Sequence, residues 1–502
     1  MTKLAAVLSR AEYGVQAPQV RVEVHISRGL PQLNIVGMPE TAVKESKDRV
    51  RAAIMNAGYE FPQHRITISL SPADIPKHGG RYDLPIAIGV LAASGQVNTD
   101  LLLDVELVGE LALGGDLRPI RGVLPVVSAV ASTGRSLICP VDNGTEAALV
   151  QSCDCMLANN LLEVCAWLDA VDELPRATLQ LNQTNKPCAD MADVKGQEQA
   201  KRALTIAAAG QHNLLFYGPP GTGKTMLASR LPGILPELTE AEALETASVA
   251  SISAHGFDPN HWSQPPFRAP HHTASAAALV GGGSNPMPGE ISLAQNGVLF
   301  LDELPEFSRH VLEVLREPME SGKIIISRAA RTAEFPARFQ LLASLNPCPC
   351  GYFGDQDRTC ECSLGQIQNY RNRISGPLLD RIDLQVEVPR IPHKVLRQSS
   401  RSNVNSETIK QQVISSRKRQ HQRNGGKSNA LLEGKDIERF IPLTEPLQDF
   451  LESVVDQLRL SARAYHRIIK VARTIADLDS CEQVQQNHLA EAISFRGFDR
   501  SR

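Results

Sequence analysis

Eight residues near the middle of the chain, Gly218-Pro219-Pro220-Gly221-Thr222-Gly223-Lys224-Thr225, carry the spacing GxxxxGK(S/T). The glycines let the backbone curl so that successive N–H groups point inward at phosphate oxygens. A helix that starts at the end of such a turn adds the positive end of its dipole to the anion seat. Lys224 then reaches the outer phosphates, and the Thr225 hydroxyl can hold Mg2+. A second set of residues suits the same chemistry, because the apolar run Gly297-Val298-Leu299-Phe300-Leu301 closes on Asp302 and Glu303. Asp302 would hold Mg2+, usually through water, and Glu303 would polarise the attacking water. These residues predict a chain that binds a nucleoside triphosphate.

Such chemistry needs strands to deliver it. Leu214-Leu215-Phe216-Tyr217 reads as a buried strand before the loop, and Met226 to Leu231 as the helix after it. Gln197 to Ala209 reads as an earlier helix ended by Gly210. Phe339-Gln340-Leu341-Leu342-Ala343-Ser344 is a third apolar strand, and it leads to Asn346. In a parallel sheet the ligand sits at the carboxyl ends of the strands, which is where Asp302 and Glu303 fall.

Several further motifs interrupt this frame. Pro266-Phe267-Arg268-Ala269-Pro270-His271-His272-Thr273 is followed by the glycine-rich 281–286. Adjacent histidine side chains diverge on a strand and sit about 100° apart on a helix, so a structural or DNA-facing role is expected rather than metal binding. Lys323 to Thr332 alternates around a short basic tip holding Arg328 and Arg331, the pattern of a hairpin. Cys348, Cys350, Cys360 and Cys362 place four thiols within fifteen residues in two CxC pairs, enough for a closed tetrahedral Zn2+ site. Metal there would brace the loop that carries Asn346, a structural role.

Composition bounds the rest. The 502 residues, 42% apolar and 21% charged, suit about three soluble domains. A net charge of −3 exerts no global pull on nucleic acid, so any basic surface must be local. No run of eighteen uncharged apolar residues occurs and no signal peptide opens the sequence, so the cytoplasm is the expected compartment and no membrane is expected. Ten cysteines in such a chain suggest reduced thiols or metal ligands, and Cys139, Cys153, Cys155 and Cys165 read as buried thiols.

Boundaries follow from these shifts. Residues 1–175 read as an α/β domain, with a strand at Val20–Ile26, a helix at Glu40–Ala57, a strand at Arg65–Leu70 and a buried helix or strand at Leu84–Ala93. Residues 176–192 form a linker, and 193–390 the nucleotide domain with its cysteine insertion at 346–364. From Arg390 to Lys427, ten Lys or Arg face one acid, Glu407. That run, 391–429 in the domain plan, is either a solvated, partly helical linker or a contact for a nucleic-acid backbone. Residues 430–502 read as a helical lid, with Ser461 as an N-cap and Arg463 in the first turn.

Resemblances extend this reading. Asp83-Leu84-Pro85-Ile86-Ala87 and Gly109-Glu110-Leu111, with Gly115 to Gly122, resemble the S5-like domain of the Lon protease family. That family's serine would fall near Pro85 and Ile86, and its lysine around Leu124 to Val126. Neither residue is present, which implies a non-catalytic scaffold or partner-binding platform. Asn346 resembles the first sensor of AAA+ ATPases, and Arg463 their second sensor arginine. Pro377-Leu378-Leu379-Asp380-Arg381-Ile382-Asp383-Leu384 resembles the arginine-finger segment of magnesium chelatases and MCM helicases; an ion pair of Arg381 with Asp380 or Asp383 is the plainer alternative.

Nearly end to end, the chain is similar to the ComM/YifB family of magnesium-chelatase-like AAA+ ATPases. Arg268-Ala269-Pro270-His271-His272-Thr273 and Ile374 to Arg381 are the most specific parts. The resemblance implies an α/β architecture with a Lon-like front, a central AAA+ domain and a helical lid. It also implies ATP, Mg2+, a homo-hexamer, and helicase action on single-stranded and branched DNA beside recombination proteins. Lys323, Arg328 and Arg331 would then touch DNA in the ring's channel. A metal-chelatase-like subunit or a protein-remodelling ATPase are the alternatives.

Overall fold

The computed structural model of the chain describes residues 4–179, 189–254, 256–283, 286–328, 331–355, 357–392, 405–458 and 460–500. The alternation at Val20–Ile26 becomes the strand Gln19–Ser27, whose Val20, Val22, Val24 and Ile26 turn inward. It lies within a seven-stranded mixed sheet. The strands run in the order Gln32–Val36, Arg65–Ser71, Gln19–Ser27, Leu4–Arg10, Val105–Leu107, Ser136–Pro140 and Cys155–Ala158. Helix Thr41–Asn56 packs beside helix Asp83–Ser94, which is buried from Asp83 through Ala93 and settles the helix-or-strand ambiguity of that apolar run. A stripe buried on all sides has no amphipathic period, so length alone distinguishes it. Cys139, Cys155 and Cys165 are buried and Cys153 half-buried, with the Cys139 and Cys155 sulfurs 3.5 Å apart.

Both positions where Lon-type catalytic residues would fall are structural here. Pro85 and Ile86 lie inside the buried helix, and Leu124, Pro125 and Val126 lie in helix Val123–Ala131. That second helix packs on Glu240–Ser251 of the nucleotide domain. Gly122 N donates to Ser251 O at 3.1 Å, and a Cβ on Gly122 would stand 2.8 Å from Ile252 Cγ2. The front domain is docked through the surface where its lysine would stand.

The nucleotide domain is a five-stranded sheet in the order Phe267–Arg268, Val298–Leu301, Gln340–Leu345, Leu214–Tyr217 and Leu384–Glu387, parallel throughout. Helices cover a parallel sheet on both faces, so its inner strands read as continuous apolar runs; Val298–Leu301 and Gln340–Leu345 are buried along their whole length. Helix Glu198–Gly210 ends one residue later than its sequence suggests. Gln211 takes the left-handed turn (φ 58°), while Gly210 stays in the helix and serves for its size, since a Cβ there would lie 2.3 Å from His212 Nε2.

Where it is described, the basic run is split: Arg417 and Arg423 are half-buried, while Lys418, Arg419 and Lys427 are exposed. Ser406–Asn424 is a helix capped by Asn405, packed on Glu198–Gly210 and on the lid helix Ala462–Leu478. Arg417 donates twice to Ala208 O, at 2.9 and 2.6 Å, which satisfies a carbonyl left over at a helix end. Burial pushes the Arg417 guanidinium down to about 10. Arg423 grips Asp477 at 2.7 and 2.8 Å, and Arg419 donates to Asp477 O at 2.5 Å. Lys394, Arg397 and Arg401 lie outside the described residues. Ser461 caps the lid helix, its hydroxyl accepting from Ala464 N at 3.2 Å.

Candidate active site

Strand Leu214–Tyr217 sits between Gln340–Leu345 and Leu384–Glu387, so the Gly218–Thr225 turn emerges at the middle of the sheet's carboxyl edge. Gly223 takes φ 90° and opens helix Lys224–Ala228. This helix is shorter than the run Met226–Leu231 suggests. It gives way to a 3-10 turn over Leu231–Ile234, since Pro232 removes a donor and disfavours α geometry at the residue before it.

Lys224 Nζ donates to Gly218 O at 2.8 Å, to Pro219 O at 2.9 Å and to Asn346 Oδ1 at 3.0 Å. Burial pushes its ammonium down to about 8, against the pull of Asp302 and Glu303. Thr225 Oγ1 donates to Asp302 Oδ2 at 2.7 Å. Asp302 Oδ1 accepts from Glu303 N at 3.0 Å and from the Ser344 hydroxyl. A hydroxyl and a carboxylate touching beside a phosphate loop are the hard oxygen donors that Mg2+ takes, so the pair fits that ion. Ser344 is a partner the sequence did not reveal, since it is the polar member of a buried strand and meets Asp302 only through strand order.

Glu303 holds a left-handed backbone conformation (φ 53°), uncommon for a residue with a side chain. His272 Nδ1 stands 3.5 Å from Glu303 Oε2. The strand that leads to His272, Phe267–Arg268, pairs in parallel with Val298–Leu301, so both end on the same edge. Arg268 fixes it with a bidentate pair to Glu290 at 2.7 and 2.8 Å, and the rings of His271 and His272 lie 4.1 Å apart, tilted by 34°. His272 therefore faces the carboxylate expected to polarise the attacking water, a placement the sequence did not reveal.

Arg381 is buried, donating to Pro377 O at 2.6 Å and paired with Glu320. Its partner is neither Asp380 nor Asp383. Asp383 instead accepts from Asn213 N at 2.9 Å and pairs with Arg467 of the lid helix, tying lid to sheet. Burial lowers the Arg381 guanidinium, and the charges of Arg463 and Arg316 act on it as well, so Arg463 belongs to the surroundings of Arg381. Arg463 itself is exposed in the first turn of Ala462–Leu478.

The hairpin is present as Lys323–Arg328 against Arg331–Pro336, with Arg328 opposite Arg331. Residues 329 and 330 lie outside the described residues. Lys323 stands at the base, 3.2 Å from Glu334, and the hairpin's inner face, Ile324, Ile326, Ala333 and Phe335, is buried.

Among the described residues, Cys348, Cys350, Cys360 and Cys362 form the one cluster able to hold a metal ion, their sulfurs all within 4.8 Å of one another. Cys348 lies 3.3 Å from Cys350 and 3.7 Å from Cys360, and Cys350 lies 3.6 Å from Cys360. Zn–S bonds of about 2.3 Å in a tetrahedron put sulfurs roughly 3.8 Å apart, so the spacing fits four thiolates around Zn2+ and no disulfide. The backbone N–H of Tyr352 leads the contacts that hold the Cys350 thiol down at about 6.

A phosphate loop, an Asp-Glu pair and a polar residue at three adjacent strand ends define a P-loop ATPase of the AAA+ type. Three family models match successive parts of the chain: "Subunit ChlI of Mg-chelatase" over 22–143, "Magnesium chelatase, subunit ChlI" over 190–396, and "Magnesium chelatase, subunit ChlI C-terminal" over 403–496. Competence protein ComM of Haemophilus influenzae is 54% identical, covering 99% of this chain and 98% of its own. YifB of Salmonella typhimurium is 51% identical over the same shares. The magnesium-chelatase 38 kDa subunit of Rhodobacter capsulatus is 28% identical over 32% of this chain and 51% of its own. The chain belongs to the ComM/YifB family of magnesium-chelatase-like AAA+ ATPases. No described helix is long and apolar enough to cross a membrane.

Proposed function

We propose that the protein is a ring-forming motor, a cytoplasmic homo-hexamer that hydrolyses ATP to move along single-stranded and branched DNA. In this reading it promotes branch migration alongside recombination proteins during natural transformation; its 54% likeness to a competence protein supports that setting. The observation that carries the reading is the short path from nucleotide to hairpin. The hairpin ends at Pro336, and strand Gln340–Leu345, which delivers Asn346, begins four residues later. Ala337 N donates to Gly322 O at 2.9 Å and closes the hairpin's base, while Gln340 N donates to Gly297 O at 2.9 Å and opens the sheet ladder, so only the short connection from Ala337 to Phe339 lies between the two.

The phosphate loop and Lys224 would bind the triphosphate, with Asn346 orienting the lytic water and Glu303 accepting its proton, held by His272. Mg2+, when bound by Thr225 and Asp302, neutralises phosphate charge. Arg381 would act on the site of an adjoining subunit, where a guanidinium in that position is worth about 10^3 to 10^5 in rate. Arg463, acting with it, would sense the same nucleotide. Lys323, Arg328 and Arg331 would follow the DNA backbone, and the four cysteines would hold a structural Zn2+.

The test is ATPase rate with and without single-stranded or forked DNA across a salt series, alongside a three-strand exchange assay. Backbone tracking predicts stimulation that fades steeply as salt rises. ATPase indifferent to DNA at every salt, or stimulated by a folded protein instead, would overturn the motor and favour the remodelling alternative.

A further inference from the structure

The four-cysteine knuckle touches the phosphate loop as well as following the sensor strand. Gly351, next to Cys350, is the point of contact: it takes φ 85°, and a Cβ there would stand 2.7 Å from Pro220 Cδ and 3.1 Å from Pro220 Cγ. Two residues before Cys348, Asn346 accepts from Lys224 at 3.0 Å. One stretch of chain from 346 to 351 thus reaches the loop twice, once at its proline and once at its lysine, with Cys348 and Cys350 between the two contacts.

The outer side of the knuckle is fastened independently. Arg371 donates to Pro347 O at 3.3 Å and lies over the Phe353 ring at 5.2 Å. Arg390 pairs with Asp355 at 2.8 Å and lies over the Tyr352 ring at 5.5 Å, and Arg358 covers that ring at 5.1 Å. Inside, Cys350 N donates to Cys362 Sγ at 3.4 Å and Phe353 N to Cys348 Sγ at 3.3 Å, the backbone bonds that orient thiolates for a metal. Four thiolates around a divalent ion leave a net charge of −2, which these N–H groups and the surrounding arginines offset.

We propose that this metal centre is the back wall of the nucleotide site, so that its occupancy sets the affinity of the phosphate loop; the inference rests on the zinc reading above. With Zn2+ in place, Gly351 and Asn346 are held against Pro220 and Lys224. Without it, Cys348 and Cys350 are no longer tied to Cys360 and Cys362, and both contacts loosen together.

The experiment uses the full-length protein. Zinc per chain is measured by elemental analysis, and affinity for a fluorescent ATP analogue is measured as purified, after stripping with a thiol-displacing mercurial and chelator, and after zinc return. Expected are one Zn2+ per chain, affinity lower by on the order of tenfold to a hundredfold after stripping, and recovery with zinc. Gly351→Ala serves as the second variant, because it leaves all four thiols in place while pressing a methyl into Pro220. It should keep one zinc and still bind the analogue roughly tenfold more weakly, a loss of about 1.4 kcal/mol. A chain that holds no zinc would overturn both the zinc reading and the inference. Zinc that can be removed without change in affinity, or Gly351→Ala with full zinc and full affinity, would overturn the inference alone.

Discussion

Asn346 Oδ1 accepts a hydrogen bond from Lys224 Nζ at 3.0 Å, which joins the end of the third strand to the cation of the phosphate loop. The two residues should nonetheless fail differently when removed. Lys224→Ala abolishes nucleotide binding, because the phosphates lose their charged partner. Asn346→Ala still binds and loses about a hundredfold in kcat, the range for one positioned polar group in a reaction site. Binding of a nucleotide analogue measured by fluorescence, beside steady-state turnover, separates the two. Since burial holds Lys224 near 8, analogue binding should weaken as pH rises past that value, where the free ammonium loses its proton.

Glu303→Gln should retain ATP without hydrolysing it, because an amide cannot accept the water's proton. His272 stands 3.5 Å from the same carboxylate, and in the proposed reaction it would position that group. His272→Ala is expected to lower kcat about tenfold with KM nearly unchanged, with Gln at that position recovering part of the loss. A shift confined to KM would place His272 in substrate binding instead.

Arg381 is held by Glu320 and Pro377 O within its own chain, so serving a neighbour requires assembly to replace those bonds. Arg381→Ala alone and Glu303→Gln alone should each be inactive with ATP bound. Mixed together they should recover turnover at hybrid interfaces, read as ATPase rate against mixing ratio. No recovery at any ratio counts against an arginine acting between subunits.

Glu146 lies beside Ser251 at the contact between front and nucleotide domains, with its Oε1 buried and lacking a hydrogen-bond partner. Burial pushes its carboxyl up to about 7. The folded chain therefore binds a proton that the unfolded chain releases between about 4.3 and 7, so stability contributed by this site is present at low pH and is lost as pH rises to 7. Glu146→Gln removes that dependence and should raise stability at pH 8 by on the order of 2 kcal/mol, measurable as a higher melting temperature there than at pH 5.5 relative to the parent.

Spacing along the chain made the phosphate loop, Asp302, Glu303 and the four cysteines legible, because each group is local or ends an apolar run. Ser344 and His272 were hidden for a common reason. Each meets its partner across strands, and strand order cannot be read from a single run of residues. The basic stretch was legible only in part: counting charges does not say which way a helix turns them, and Arg417 points at Ala208 O while Lys418 is exposed. Leu124 to Val126 showed that no lysine stands there but not what the segment does, which is to help dock helix Glu240–Ser251.

The turn between the first two strands, closed where Tyr13 and Gln16 bridge, rests on the hairpin: a Cβ on Gly14 would be 3.4 Å from Glu334 O and 3.7 Å from Phe335 Cε1. With so little room between them, the turn and the hairpin are neighbours. Either the hairpin is immobile or the amino-terminal domain rides with it. In the second case a ring of the kind proposed would carry an outer collar that rocks in time with its inner fingers, and whatever grips the collar would stall the engine.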